Sequence, residues 1–583
     1  MDETQRRVDE TRKGSSELEN HLIDAYEAGK LSRRDFVRRG TVVGMSIPLL
    51  GFLAAACGGG GGGTTEAGGG TTAPPATTEA PSATTEAPPA TTEAPPATGG
   101  TIRTAIIAPA GALDPVKVGD EGGLAVLGQS GEYLTWSDSQ LQLQPRIAES
   151  FTPNADASVW TFKIREGVTF HDGTPLTADD VVATMDLHTD PDVGSRALSA
   201  LGGVLSKGGA KKVDDFTVEF TLDAPNGSFP YLVSSDNYNV IILPKTYAGD
   251  WEKTFIGTGP WILDTYTPEV GVTYKKNPTY WDTARIPVTD ASEIKFYPEE
   301  QARILAIQGG EVDVVSNFSV AGGGALLTDP NIAVIELRAS QHRHIHMSND
   351  QEPFTDRRVR QALALTLDRQ ALVAGLFDGK ADLGNDSPFA PVYPFTDTSV
   401  AQREKNIDQA KQLLADAGKG DGFQVTLETW KGFEIPDLAV LVQNAAKEVG
   451  VDIKLQITDD ATYYGSYEYG SSRWLDSVMG ITDWGHRGVP NVFLTAAWGS
   501  KGAWNASHFK NPTFDKLTAD YVAAVDLDSQ RGLAKQIQEL LLDESPAIVP
   551  YFYFHLAATR TGVSNVEPTG MGHIDVSRAT LPA

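Results

Sequence analysis

From about residue 101 onward the apolar and polar positions follow two periods. Val159-Trp160-Thr161-Phe162-Lys163-Ile164 alternates residue by residue, as do 217–222 and 271–276, and each predicts a half-buried strand. Elsewhere the period lengthens: Leu533, Ile537, Leu540 and Leu541 recur at i, i+4, i+7 and i+8 and predict an amphipathic helix. Punctuation agrees with these readings. Thr177-Ala178-Asp179-Asp180 opens VVATMDLH as a capping box with Asp in place of Glu or Gln, and Asn406 caps IDQAKQLLADA before Gly418 stops it. Short strands with helices between them predict an α/β or mixed multilobe protein, and 583 residues exceed what one core accommodates.

The first hundred residues follow neither period. The apolar run 41–56 is broken by Gly44, Ser46, Pro48 and Gly51; it is short for a membrane span and suits the apolar region of a signal peptide. It ends at Cys57, the single cysteine of the chain, so an internal disulfide and a CxxC site are both excluded. Gly58 to Gly100 is low-complexity, with TTEAPSA at Thr77 and TTEAPPA at Thr84 and Thr91; the prolines forbid a helix, and the composition predicts a flexible stalk.

Charge narrows the partners. A net charge of −28 argues against nucleic acid and anionic membrane surfaces, and it favours cationic or amine-bearing ligands or simply keeps a secreted protein soluble. GxSxG, GxxxxGK[ST] and HExxH are missing and GxGxxG is met only by the six-glycine run 58–63, so no enzyme constellation stands out.

Ser32-Arg33-Arg34-Asp35-Phe36 resembles a twin-arginine export signal, with Arg33, Arg34 and Phe36 in register. Ala54-Ala55-Ala56-Cys57 resembles a lipobox, although Ala54 stands where Leu is usual. Lipid on Cys57 would anchor the mature chain, leaving residues 1–56 as a cleaved lipoprotein signal and 57–100 as its tether. Further on, Ile147-Ala148-Glu149-Ser150-Phe151 and WTFKIREGVTFHDGTPLTADDVV (160–182) resemble the extracytoplasmic solute-binding proteins of the oligopeptide/dipeptide class, family 5 of ABC importers. Gly257-Thr258-Gly259-Pro260-Trp261, Lys276–Trp281, Gly309–Asp313, PFTDRRVRQAL (353–363) and Ser545–Pro550 follow in that family's order. The resemblance implies a two-lobed periplasmic-binding-protein-like clam-shell of α/β class with an additional domain: domain I over 101–131, 257–346 and 557–583, domain II over 132–256, and domain III over 347–556. The lobes would be joined by crossings near Met347 and Ala557. It further implies a monomeric binding protein rather than an enzyme, with no cofactor, that captures a peptide or small solute by closure. An ABC permease with its ATPase would be the partner, and lipid would hold the protein at the outer face of the cell membrane. Opines, saccharides, nickel chelates, or an enzyme or sensor on the same scaffold are the alternatives. His171-Asp172-Gly173-Thr174 reads as a structural turn and Arg358 and Arg360 as ion partners within the fold.

Three segments are candidate site residues. Gly119, Asp120 and Glu121 follow Leu113-Asp114-Pro115, and the resemblance implies backbone contacts to an extended peptide there, the alternative being an acidic surface loop. Peptide-binding relatives carry an aspartate for the ligand's α-ammonium near Gly480–Leu494. Aligning on the acid–aromatic pair makes it Asp483, with Trp484 as a stacking wall; aligning on Pro490 puts His486 there, beside Arg487, and suits an anion. His342, His344 and His346 alternate on a strand with metal-compatible spacing, against the alternatives of a solvated hinge or a pH-responsive cleft; no metal is expected.

Cys57→Ser is expected to move the protein from the membrane fraction to the soluble one on cell fractionation. Replacing Arg33 and Arg34 with Lys is expected to stop export, and normal export of that double variant would remove the twin-arginine assignment while leaving the lipid anchor standing.

Overall fold

Alternation in the Val159–Ile164 strand puts Trp160, Phe162 and Ile164 on one buried face. Phe162 meets Phe220 edge-on at 5.1 Å and Phe229 at 6.0 Å, so an aromatic cluster seals this face. The strand pairs antiparallel with Ala148–Pro153 and Thr217–Thr221, and Ala210–Asp214 completes a four-stranded sheet. Helix Ala178–Thr189 packs beside it; its N-terminus is held as the capping box predicts, with the Thr177 amide donating to the Asp180 carboxylate at 2.9 Å. Ahead of that helix, the Asp172 carboxylate accepts from the Thr174 amide at 2.9 Å, the turn expected of Asp-Gly. These elements belong to a computed structural model that describes residues 99–582; Arg33, Arg34, Phe36, Cys57 and the tether lie outside the described residues.

Two larger sheets carry the rest. In the first, Thr101–Ile107 lies centrally, parallel to Ala291–Tyr297 and to Val314–Val315, and the sheet extends through Gly271–Lys276 and Trp261–Thr267 on one side and His555–Arg560 and Ile332–Leu337 on the other. In the second, Phe423–Trp430 runs parallel to Val451–Thr458 and to Met479–Trp484, while His342–Met347 pairs antiparallel with the last of these. Helix Ile435–Lys447 packs on this sheet through Leu438, Ala439 and Val442, within a core that includes Ile345, Met347, Met479 and Ile481. A separate core on Trp484, Phe493, Trp498 and Phe552 takes Ile537 and Leu541 of helix Leu527–Glu544, the amphipathic stripe read from the sequence. Asn406 caps helix Ile407–Asp416 by accepting from the Gln409 amide. Strand pairing puts the passages between the two large sheets at 338–341 and at Phe554, a few residues ahead of Met347 and Ala557, because His342–Met347 is already committed to the second ladder and His555 to the first.

That ladder also corrects the picture of the histidines. All six residues of His342–Met347 are buried, because a central strand is covered on both faces. His344 stacks on Trp498 at 4.9 Å with 11° between the rings, and its Nδ1 accepts from the Trp484 indole at 3.0 Å. His342 packs between Phe493 and Phe552 and bonds the Ser340 carbonyl at 2.8 Å; His346 bonds the Ser477 hydroxyl at 2.8 Å. They are core rings, not residues of a solvated hinge, and among the described residues no group of three or more His, Cys, Asp or Glu is placed to hold a metal.

Burial pushes His342 down to about 4, His346 to about 3, and His344 well below its usual value. A histidine held neutral in the native state stabilises it fully above the unfolded value near 6.5 and progressively less as pH falls through that value toward the native one. Melting temperature should therefore drop between about pH 6.5 and 4, with His342 alone worth on the order of 3 kcal/mol. His342→Phe keeps the ring packing and should make the acid slope shallower in pH-dependent thermal melts; an unchanged slope would assign the acid sensitivity to other groups.

Candidate functional site

The pleat of the Met479–Trp484 strand sends successive side chains to opposite faces. Trp484 therefore turns into the aromatic core, 8 % exposed against Phe493, Trp474 and Trp504. Asp483 turns the other way, toward Arg343, its partner across the ladder. The expected stacking wall of Trp484 beside Asp483 is thus replaced: Tyr464 stands there, its hydroxyl donating to Asp483 Oδ1 at 2.7 Å, with Trp430 behind it at 5.9 Å.

Arg343 decides the local charge. Its guanidinium, 1 % exposed, lies with Nε and Nη2 each 2.9 Å from the Glu434 carboxylate, and Nη1 donates to the Tyr553 hydroxyl at 2.8 Å. The Tyr553 and Phe433 rings flank it at 4.5 and 5.0 Å. Glu434, Asp483 and the neighbouring tyrosines hold the guanidinium well above its ordinary range, so it stays charged despite burial. Glu434 is also bonded by the Tyr551 hydroxyl at 2.9 Å. One cation thus matches one anion, and Asp483, half-buried, remains as a negative charge in excess.

This cluster occupies a defined place. The parallel strands of the second sheet end at Trp430, Thr458 and Trp484, and His342, the residue after the first passage, pairs with Trp484. Tyr553, which bonds Arg343, precedes the second passage at Phe554. Asp483 therefore sits at the carboxyl ends of parallel strands and at the junction with the first sheet, where open α/β sheets place their ligands.

His486 and Arg487 lie beyond the strand, against the passage itself. His486 is buried, and its Nδ1 accepts from the Ser340 amide at 3.0 Å, which leaves the ring proton on Nε2. Burial, then the neighbouring Arg487, lower it to about 3, so it brings no positive charge to an anion. The Arg487 amide and carbonyl bond the Ser340 hydroxyl, and the same carbonyl accepts from Tyr393 at 2.6 Å. Its guanidinium donates to the His486 carbonyl and feels Asp236, whose carboxyl burial pushes up to about 7.

The third candidate group sits on the first sheet's side. Asp120 caps helix Glu121–Ser130 by accepting from the Gly123 amide at 2.8 Å, and Gly119 is exposed beside Arg196. Glu121 is bonded by Asn317 Nδ2 at 2.6 Å to both oxygens, and burial raises it to about 7 against the pull of Arg303. The turn 569–573 joins these regions. A Cβ on Gly572, at φ +93°, would lie 2.5 Å from Glu121 Cγ, and one on Gly570 would lie 2.7 Å from the His486 ring. Glycine at both positions lets one turn touch both candidate groups. Arg343, Glu434, Tyr464 and this turn carried no local motif. The one available signal was that Arg343 alternates with the histidines and so faces away from them.

The family model for bacterial extracellular solute-binding proteins, family 5 (middle region), matches residues 142–506, and the chain belongs to that family. It is 28 % identical over 449 residues to the oligopeptide-binding protein AppA of Bacillus subtilis, covering 72 % of this chain and 80 % of that protein. It is 26 % identical over 437 residues to heme-binding protein A of Haemophilus influenzae, covering 70 % and 78 %. The structure of the periplasmic binding protein DppA from Helicobacter pylori in complex with the peptide STSA superposes with a TM-score of 0.66 at 21 % identity, over 83 % of this chain and 99 % of that one. The first two relatives are named for what they bind, the third is described as an ABC transporter-associated periplasmic binding protein, and the family is one of extracellular solute-binding proteins. Among the described residues no helix is long and apolar enough to cross a membrane.

A buried ion pair of this kind is expected to be costly to halve. Glu434→Gln should lower stability by about 3–5 kcal/mol by chemical denaturation, since it removes the carboxylate bonded directly to the buried Arg343 and leaves only the more distant charge of Asp483 against it. Arg343→Met combined with Glu434→Leu should recover most of that loss; a double variant no better than the single one would show that the pair contributes by packing alone.

Proposed function

We propose that the chain is the membrane-tethered solute-binding component of an ABC importer, capturing peptides by lobe closure and delivering them to a permease. The observation that carries the peptide reading is Asp483. It is a half-buried carboxylate at the strand ends, left in excess because Glu434 already matches Arg343. An ammonium entering there would donate charge-assisted hydrogen bonds to the Asp483 carboxylate with water excluded. The peptide named in the DppA complex and the oligopeptide in the name of AppA support the same ligand class. A neutral His486 weighs against the anion reading of the same segment.

In this reading one lobe is domain I with domain II and the other is domain III, with their mutual limits at the passages 338–341 and Phe554 rather than at 346/347 and 556/557, since His342–Met347 pairs in the second sheet and His555–Arg560 in the first. The passages at 338–341 and Phe554 serve as the hinge, and ligand favours the closed state because only that state contacts it from both lobes. Gly119, Asp120 and Glu121 would meet the ligand from the opposite lobe. Lipid on Cys57 and the stalk to Gly100 would keep the monomer near its permease at the outer face of the membrane, raising its effective concentration. A heme-binding relative at similar identity supports testing non-peptide ligands in parallel.

Asp483→Asn should weaken free-amine peptides by about 2–5 kcal/mol in isothermal titration and affect N-acetylated peptides far less. Equal binding of acetylated and free peptides by the wild type would end the amine-clamp reading. A thermal-shift screen that adds opines, sugars and metal chelates would then identify the ligand class.

A further inference from the structure

Phe433 is the most exposed large apolar side chain among the described residues, at 71 %. Its backbone has φ +51°, a left-handed conformation that is unusual for a bulky residue and persists only where neighbours enforce it. The enforcing contacts lie on both sides. Gly432 packs so tightly that a Cβ there would fall 2.1 Å from the Trp430 ring, and Glu434 is tied to Arg343 and Tyr551. The phenyl ring stands edge-on to Trp430 at 5.6 Å and lies 5.0 Å from the Arg343 guanidinium. An apolar ring is thus held outward, by a strained turn, at the carboxyl end of a parallel strand. Arg343, which it touches, is also the cross-strand neighbour of Asp483.

We propose that Phe433 is a specificity-determining residue: an apolar platform for the side chain next to the ligand's ammonium, selecting peptides whose first residue is aromatic or bulky and aliphatic. The proposal rests on the amine reading of Asp483 and adds to it the kind of residue that carries the amine. The charge at Asp483 fixes where the ammonium goes, and the exposed ring lies 5.0 Å from the guanidinium of Arg343, the cross-strand neighbour of Asp483. Exposed phenyl surface is covered favourably by another apolar group, whereas a glycine at the same place covers none of it. Tyr464 and Trp430 continue the aromatic surface on the Asp483 side.

The test uses titration calorimetry on the whole extracytoplasmic chain with two tripeptides, Phe-Gly-Gly and Gly-Gly-Gly. Phe433→Ala should weaken Phe-Gly-Gly roughly tenfold and Gly-Gly-Gly by less than about twofold, while Phe433→Trp should keep the wild-type ratio. Phe433→Gly, which relieves the left-handed backbone, controls for distortion of the turn and should reproduce the alanine result. Equal losses for both tripeptides, or no loss for either, would overturn the platform and leave the Asp483 clamp intact. A wild type that binds neither tripeptide would overturn clamp and platform together.

Discussion

A guanidinium sealed from water beneath the end of a sheet sets the terms for its surroundings. Arg343 survives burial because Glu434 matches its charge, Tyr553 accepts one of its donors and two aromatic rings cover its faces. Arg343 and those partners come from separate stretches of chain: a central strand, the turn into helix Ile435–Lys447, and the strand just before the second passage. A single buried charge therefore registers three segments against one another where the two large sheets meet. It also explains why Asp483, its nearest neighbour in the ladder, is left as an anion without a dedicated cation.

The junction has a second set of polar ties with a different character. Ser340, in the passage itself, exchanges hydrogen bonds with His486 and with both backbone groups of Arg487. The turn 569–573 then lies against His486 on one side and Glu121 on the other, close enough that only glycine fits at the two contacts. Charge on this side is subdued: His486 is neutral, and burial raises Glu121 and Asp236 into the neutral range. The carboxylate without a matched cation thus stands at Asp483, whereas burial raises the carboxyls nearest the passage.

Much of the fold was legible in local pattern. The Val159–Ile164 and Gly271–Lys276 strands, the Asp180 capping box, the Asn406 cap and the apolar stripe of Leu527–Glu544 all lie where period and punctuation put them, because each depends on contacts a few residues apart. The ordered blocks from Ile147 to Pro550 carried the family. The candidate site was legible only in outline. Asp483 and Trp484 were found as a pair, but a strand turns them to opposite faces, so they cannot line one wall. The HRHIHM strand was read for its histidines, whereas the arginine between them faces the site.

Sequence by itself therefore determined several of the strands and helices, the order of the blocks that carry the family, and the family. Tertiary structure alone decided which side of each strand is covered and which charge is matched. Arg343 finds Glu434 91 positions along the chain and Tyr553 210 positions along it. Periodicity reports on neighbours within a turn or a pleat, but whether a charge is spent or free depends on groups brought near it by packing, and no local pattern encodes that distance.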